Sequence, residues 1–168
     1  MLGIPFDVVT PDVEELTDGD PSELVLANAR LKAAAGAELV ASDAVVVGVD
    51  TEVVIGGRAL GKPADQDAAR RCLSRLSGRN HEVRSGVCLL RRGRTLEGIE
   101  VTEVTVRDLS PAEIDLYVDS GEWRGRAGGY AIQGLGSSLV SAVAGDLSNV
   151  IGLPIPLLSR LIASLQDR

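Results

Sequence analysis

Aromatic side chains are scarce in this sequence, at 2% of 168 residues, and histidine occurs once, as His81. The core must therefore be built from Val, Leu, Ala and Ile. Apolar residues make up 45% of the chain, which excludes a disordered protein, and the length suits one domain, residues 1–168. A single histidine argues against a Ser-His-Asp triad and excludes a metal site made of several histidines.

Long apolar runs are also missing, since none approaches the roughly 20 residues of a membrane helix. The N-terminus turns acidic at once, without the basic start of a signal peptide. Cys72 and Cys88 form no close pair, which is typical of free thiols in a reducing cytoplasm. The net charge of −7 argues against a nucleic-acid partner, although a polyanionic small substrate needs only local cations and a metal ion.

The sequence predicts four helices, three of them from capping signals. Asp20 precedes a helix through about residue 38, Asp65 caps one through Leu76, and Ser110 begins a capping box with Glu113. A fourth helix is predicted over 154–165. Strands are predicted over residues 4–9, 45–50, 52–56, 81–91, 95–107 and 137–143. Because residues 81–107 look like an antiparallel hairpin, we expect an α/β fold with a mixed sheet flanked by helices.

The predicted strand 45–50 ends on an acid, Asp50, followed by a hydroxyl, Thr51. In α/β folds a carboxylate at a strand end faces the ligand crevice, where it can hold a divalent metal or take a proton from water. The alternative is a turn cap. Thr51 either donates to a substrate oxygen or simply favours the strand.

Three further charged positions have two interpretations each. Lys62 lies between a glycine and a proline, which fixes it for a phosphate contact unless it is a solvated turn lysine. Lys32 follows an Ala-rich helical pattern, for which a solvated helix face is the default. Glu14 and Glu15 are either exposed loop acids or a carboxylate pair for magnesium.

A glycine-rich segment, residues 128–136, surrounds Gln133. An amide side chain offers donors and an acceptor, which suits the edge of a base, whereas a structural glutamine at a β-bulge is the alternative. Just before this segment, Arg124 and Arg126 form a small basic cluster that faces phosphates or solvates a turn.

Taken in order, these motifs resemble the Maf family of nucleoside triphosphate pyrophosphatases. The matching stretches are residues 2–6, 14–15, 29–33, 48–51, 61–63, 76–83, 101–106, 117–122, 129–134 and 149–154. The resemblance implies two lobes around a central cleft, as in the inosine triphosphatases. It also implies cleavage between the α- and β-phosphates that depends on a divalent cation, Mg²⁺ or Mn²⁺. Homodimers are usual in the family.

The same resemblance assigns roles to individual residues. Asp50 is implied as the proton acceptor, with Lys32 and Lys62 on phosphates. Asp50 and Glu15 are implied at the metal. Thr51 and Gln133 help select the base, and the Asp-Thr pair resembles the subgroup that favours dTTP and UTP. Arg126 keeps the charge of a lysine usual in the family, and is taken as substrate-binding.

The family begins with a strand and a Ser-x-Ser-Pro-Arg-Arg loop that this sequence does not contain, since it starts at Met1-Leu2-Gly3. If that loss is real, we expect weak or no turnover and reduced stability. The leading hypothesis is a cytoplasmic house-cleaning pyrophosphatase for dTTP, UTP or modified pyrimidine triphosphates. The alternatives are an impaired nucleotide-binding or regulatory protein and a purine-specific variant.

Overall fold

The computed structural model describes residues 4–166. Its strands are β1 (Val46–Ile55), β2 (Arg58–Ala59), β3 (Asn80–Arg91), β4 (Arg94–Val106) and β5 (Val140–Ala144). Its α-helices are α1 (Pro21–Ala37), α2 (Gln66–Leu76), α3 (Pro111–Ser120), α4 (Leu147–Ile151) and α5 (Ile155–Gln166), and two 3₁₀ helices cover Ala127–Gly129 and Gly134–Leu139. The strands form one sheet in the order β2-β1-β3-β4-β5.

The α/β class with helices flanking a sheet is confirmed, but over the described residues the sheet is antiparallel, not mixed. The tight turn between β3 and β4 has positive φ at Arg92 (46°) and Gly93 (77°), as in two-residue hairpins. The predicted helix starts at Asp20, Asp65 and Ser110 are confirmed, each with its side chain on backbone amides.

Four of the predicted strands need correction. Residues 4–9 form no strand, because no neighbouring strand pairs with them and Phe6 and Val8 remain about four-fifths exposed, at 82% and 80%. Predicted strands 45–50 and 52–56 are one continuous strand, β1, which pairs with β3 from Val46 to Val54. The strand predicted over 137–143 begins only at Val140, after a 3₁₀ helix.

The two faces of the sheet are covered by different helices. On one face α1 packs its small side chains Ala29 and Ala33 against Cys88. On the other face, α2 and α3 bury a core that includes Leu73 and Tyr117, while α5 covers the opposite end. Alternation along β3 separates the two faces, since neighbouring side chains point to opposite sides. Within residues 4–166, no helix is both long and apolar enough to cross a membrane.

Candidate active site

The carboxylate of Asp50 is central to the candidate site. It lies in the middle of β1, opposite Gly86 of β3, and not at a strand end as predicted. Its face of the sheet is covered by α1, so only 6% of the residue is exposed. Asp50 Oδ1 accepts a hydrogen bond from Lys32 Nζ at 2.6 Å, and Asp50 Oδ2 accepts one from Asn28 Nδ2 at 3.2 Å.

Asn28 and Lys32 lie one turn apart on α1, so they reach the same carboxylate from one helix face. The helix comes close to the sheet because β1 and β3 carry Gly48 and Gly86 beneath it. A side chain at Gly48 would overlap the backbone of Ala29, and one at Gly86 would overlap the backbone of Val25. Glycine at these two places therefore sets the short distance between helix and acid.

Glu15 joins the two lysines. Its Oε1 lies 2.7 Å from Lys32 Nζ, and its Oε2 lies 2.9 Å from Lys62 Nζ. The hydrogen bond from Lys32, followed by that from Lys62, holds the pKa of the Glu15 carboxyl below its usual value. Burial lowers the pKa of Lys32, but its hydrogen bonds to Asp50 and Glu15 outweigh burial and leave this pKa raised. The structure thus brings Asp50, Glu15, Lys32 and Lys62 into one chain of ion pairs.

Asn28 was missed in the sequence. It is 2% exposed and uses both ends of its amide, because Oδ1 accepts from Leu16 N at 2.8 Å and Nδ2 donates to Leu16 O at 3.0 Å. It therefore ties the loop that carries Glu15 to the strand that carries Asp50. The four-residue spacing of Asn28 and Lys32 was the available sequence signal. It indicates a functional asparagine only once Asp50, its hydrogen-bond partner 22 residues away, is known.

Glu52 is a second residue that the sequence did not single out. It lies two positions after Asp50 and so on the same face of β1. Its Oε2 is buried without a hydrogen-bond partner among the described residues. Burial, and then the negative charge of Asp50, raise the pKa of the Glu52 carboxyl.

A cleft of about 340 Å³ opens beside this cluster. Asp50, Thr51, Lys32 and Lys62 line it, as do Gln133 of the glycine-rich segment and Arg126 just before that segment. The remaining lining residues come from β1, β3, the segment after α3 and α4: Val49, Val53, Val83, Glu122, Gly125, Ala127, Tyr130, Ala131, Ile132, Val150, Ile151 and Gly152. The Thr51 hydroxyl lies 2.7 Å from that of Ser85, which is buried on β3.

Two predicted candidates lie elsewhere. Glu14 is exposed beside Glu15 and takes part in none of the ion pairs within residues 4–166. Arg124 stacks on the indole of Trp123, with 4.9 Å from its guanidinium carbon to the ring centre, and does not line the cleft. The cationic side chains at the cleft are therefore Lys32, Lys62 and Arg126.

The oxygen atoms at this site suit a hard divalent cation. Asp50 and Glu15 both accept from the same ammonium, so their carboxylates lie around one position. No group of three or more acidic, histidine or cysteine side chains with the arrangement of a metal site is found in the part of the chain that the structure describes. Mg²⁺ commonly binds through one or two carboxylates together with substrate phosphates, and this donor set fits that mode.

Comparison with known proteins adds a family and named relatives. The family model described as "Maf-like protein" matches residues 1–165. A dTTP/UTP pyrophosphatase of Deinococcus radiodurans is 43% identical over 162 residues, which is 96% of this chain and 83% of the relative. Proteins of the same name from Pyrococcus furiosus and Bacillus cereus (strain G9842) are 41% and 44% identical, over 94% and 99% of this chain and 84% and 86% of the relatives.

Proposed function

Because this chain belongs to the Maf family, we propose that it is a nucleoside triphosphate pyrophosphatase that hydrolyses dTTP and UTP to the monophosphate and pyrophosphate. The observation that carries the proposal is the chain of contacts in which a nearly buried carboxylate, Asp50, is joined to Lys32 and through Glu15 to Lys62 at the wall of a cleft. The name shared by the relatives supports the choice of nucleotide.

In this proposal Asp50 is the proton acceptor. A water held beside its carboxylate loses a proton to Asp50 as its oxygen bonds to the α-phosphorus. The bond from the α-phosphorus to the oxygen that bridges it to the β-phosphorus breaks, and pyrophosphate leaves with that oxygen and the bonding electron pair. The proton then passes from Asp50 to solvent. Burial of Asp50 between β1 and α1 restricts its carboxylate to one orientation, which favours this role.

Lys32 and Lys62 balance the negative charge of the triphosphate. Both ammonium groups pair with Glu15, and Lys32 also pairs with Asp50. A triphosphate entering the cleft competes with these carboxylates for the ammonium groups and leaves Asp50 and Glu15 freer to accept from water or to bind a cation. Cations fixed near the leaving pyrophosphate stabilise the transition state more than the ground state.

Asp50 and Glu15 would hold the divalent cation, Mg²⁺ or Mn²⁺, together with the phosphates. When bound, the cation supplies positive charge to the phosphate oxygens and orients the triphosphate. Among the other residues that line the cleft, we propose that Gln133 and Thr51 contact the base and that Arg126 contacts the phosphates or ribose. The free thiols Cys72 and Cys88 agree with a cytoplasmic location.

The test is pyrophosphate release from a panel of triphosphates with Mg²⁺ or Mn²⁺, comparing the wild type with Asp50→Asn. We expect dTTP and UTP to be preferred and the variant to lose at least about 1,000-fold in kcat, as is usual when a proton acceptor that also contacts metal is removed. The matched control is Glu97→Gln, which alters a carboxylate that pairs with Arg30 outside the cleft and should keep wild-type turnover.

Two results would overturn the proposal. One is a wild type that binds triphosphates without releasing pyrophosphate, which would favour a regulatory nucleotide-binding protein. The other is an Asp50→Asn variant that retains wild-type turnover, which would remove Asp50 from the reaction.

A further inference from the structure

Gln133 stands immediately before the 3₁₀ helix Gly134–Leu139, with φ −86° and ψ 144°. A residue in this position often caps the helix with its own side chain, but Gln133 makes no such hydrogen bond. It is exposed and lines the cleft. Within residues 4–166 its amide has no hydrogen-bond partner, so the amide is available to a ligand.

Another side chain satisfies the amides that Gln133 leaves open. The carboxylate of Glu122, just after α3, accepts from Leu135 N at 2.9 Å through Oε1 and from Gly136 N at 3.1 Å through Oε2. These are two of the first backbone donors of the 3₁₀ helix, which have no partner within the helix itself. The hydrogen bond from the Leu135 amide is the main reason why the pKa of Glu122 is lowered, so the carboxylate is charged near neutral pH.

The segment is also fixed on the other side of Gln133. Two residues before it, the Ala131 N–H donates to the Tyr117 hydroxyl of α3 at 3.0 Å. Tyr117 is 3% exposed, and burial raises its pKa to about 12, so its hydroxyl stays protonated. Tyr117 near the end of α3 and Glu122 just after it therefore hold the backbone on both sides of Gln133.

Two glycines make this close approach possible. At Gly134, where φ is +80°, a side chain would overlap Glu122 Oε1, and at Gly136 a side chain would overlap the carbonyl oxygen of Ala131. The backbone thus folds tightly around Gln133 and against Glu122. The backbone on both sides of Gln133 is therefore fixed, and Gln133 itself lies at the lining of the cleft.

We propose that Glu122 and Tyr117 are positioning residues for recognition of the nucleobase, acting through Gln133. This inference rests on the proposed function, in which Gln133 contacts the base. It assigns base affinity to a carboxylate that lies at the cleft but whose two oxygens accept from the backbone amides of Leu135 and Gly136. The phosphate side of the cleft, with Lys32 and Lys62, does not depend on these contacts.

The experiment compares a ligand that has a base with one that does not. Glu122→Gln keeps the shape of the side chain but replaces one carboxylate oxygen, which accepts a hydrogen bond from a backbone N–H, by an NH₂ group that can only donate. We expect it to raise the KM for UTP about 10-fold or more, with a smaller change in kcat. The inhibition constant of inorganic tripolyphosphate, which has phosphates but no base, should change less than about two-fold. Tyr117→Phe should likewise raise the KM for UTP and leave the inhibition constant of tripolyphosphate nearly unchanged.

A double-mutant cycle separates positioning from general damage. If Glu122 acts through Gln133, then Glu122→Gln combined with Gln133→Ala should cost little more than Gln133→Ala alone. The matched control is Glu113→Gln, which removes a carboxylate that accepts the Ser110 N–H at the opposite end of α3. It should change melting temperature without changing the ratio of UTP to tripolyphosphate affinity.

Additive losses in the cycle, or equal weakening of UTP and tripolyphosphate, would overturn the inference. If Glu122→Gln does not fold, Tyr117→Phe and its cycle with Gln133→Ala decide the question by the same criteria. If the wild type releases no pyrophosphate, the proposed function fails. The affinities of a non-hydrolysable UTP analogue and of tripolyphosphate, measured by calorimetry, then test the positioning roles independently of turnover.

Discussion

Lys32 and Asp50 form an ion pair at 2.6 Å between α1 and β1, and the two partners differ in exposure, with 24% of the Lys32 side chain and 6% of the Asp50 side chain accessible. The acid is fixed in the sheet, whereas the lysine extends from a helix toward the cleft and is shared with Glu15. This arrangement leaves Lys32 able to exchange a carboxylate for a phosphate while Asp50 stays in place.

Lys32→Met should lower kcat by about 100-fold or more, the usual effect of losing one donor that stabilises the transition state. It should also reduce the free energy of unfolding by about 3 kcal/mol, because the nearly buried Asp50 is left without its cation. Pyrophosphate release and urea unfolding measure the two effects. Arg30→Met is the matched control on the same helix, since Arg30 pairs with Glu97 and is more exposed. Equal kcat values for the two variants would contradict the prediction.

Asn28→Ala should reduce the free energy of unfolding by about 2 kcal/mol, since it leaves the backbone groups of Leu16 and one oxygen of Asp50 without their partner. The loop that carries Glu15 then loses its anchor, so the concentration of Mg²⁺ at half-maximal turnover should rise. Chemical denaturation and metal titration test the two parts. Asn80→Ala, which affects an exposed asparagine bonded to Glu103 and Thr105, is the control. It should leave the metal requirement unchanged.

The features that sequence predicted correctly depend on short-range contacts. Asp65 caps α2 through an amide three residues away, and Ser110 and Glu113 complete their capping box over the same distance. The tight hairpin at Gly93 is equally local. In each case the residues that make the contact lie within a few positions of each other, so the sequence pattern itself contains the interaction.

What the sequence could not supply depends on contacts between distant segments. Asp50 seemed to end a strand because a threonine and a glutamate follow the apolar run, but pairing with β3 continues through Val54 and pairing with β2 through Ile55. The role of Glu122 depends on amides 13 and 14 residues further along. Residues 4–9 have strand-like composition but no partner strand among the described residues. The length of β1, the hydrogen bonds of Glu122 and the absence of a strand at residues 4–9 all depend on tertiary contacts. Amino-acid composition alone does not reveal such contacts.

His81 should make stability depend on pH. It is buried with its Nε2 2.8 Å from the Tyr130 hydroxyl, and burial lowers its pKa from 6.5 to about 4. The unfolded chain therefore takes up the proton first, so the stabilisation is complete above pH 6.5 and is lost as the pH falls from 6.5 through 4. For this shift the loss is about 2 kcal/mol by pH 5 and about 3 kcal/mol by pH 4.

The measurement is the free energy of unfolding in urea from pH 7.5 to pH 5 for the wild type and His81→Gln. Since His81 is the only histidine in the sequence, the difference between the two curves isolates it from the carboxylates. We expect the wild type to lose about 2 kcal/mol more than the variant over this range. Parallel curves would show that His81 takes up its proton over the same pH range in the folded and the unfolded chain, against the prediction.

Glu15→Gln should have opposite effects on metal and on phosphate. The substitution removes the negative charge that pairs with both Lys32 and Lys62, so the potential at the two ammonium groups becomes more positive. Tripolyphosphate should then bind several-fold more tightly without metal. Turnover should require several-fold more Mg²⁺, because one carboxylate of the proposed cation site is lost.

The matched control is Glu14→Gln, which changes the net charge equally at an exposed neighbour outside the ion pairs. It should alter neither the affinity for tripolyphosphate nor the Mg²⁺ requirement. A Glu15→Gln variant that binds both metal and tripolyphosphate more weakly would show that Glu15 only maintains the fold of its loop, because a change of charge alone moves the two affinities in opposite directions.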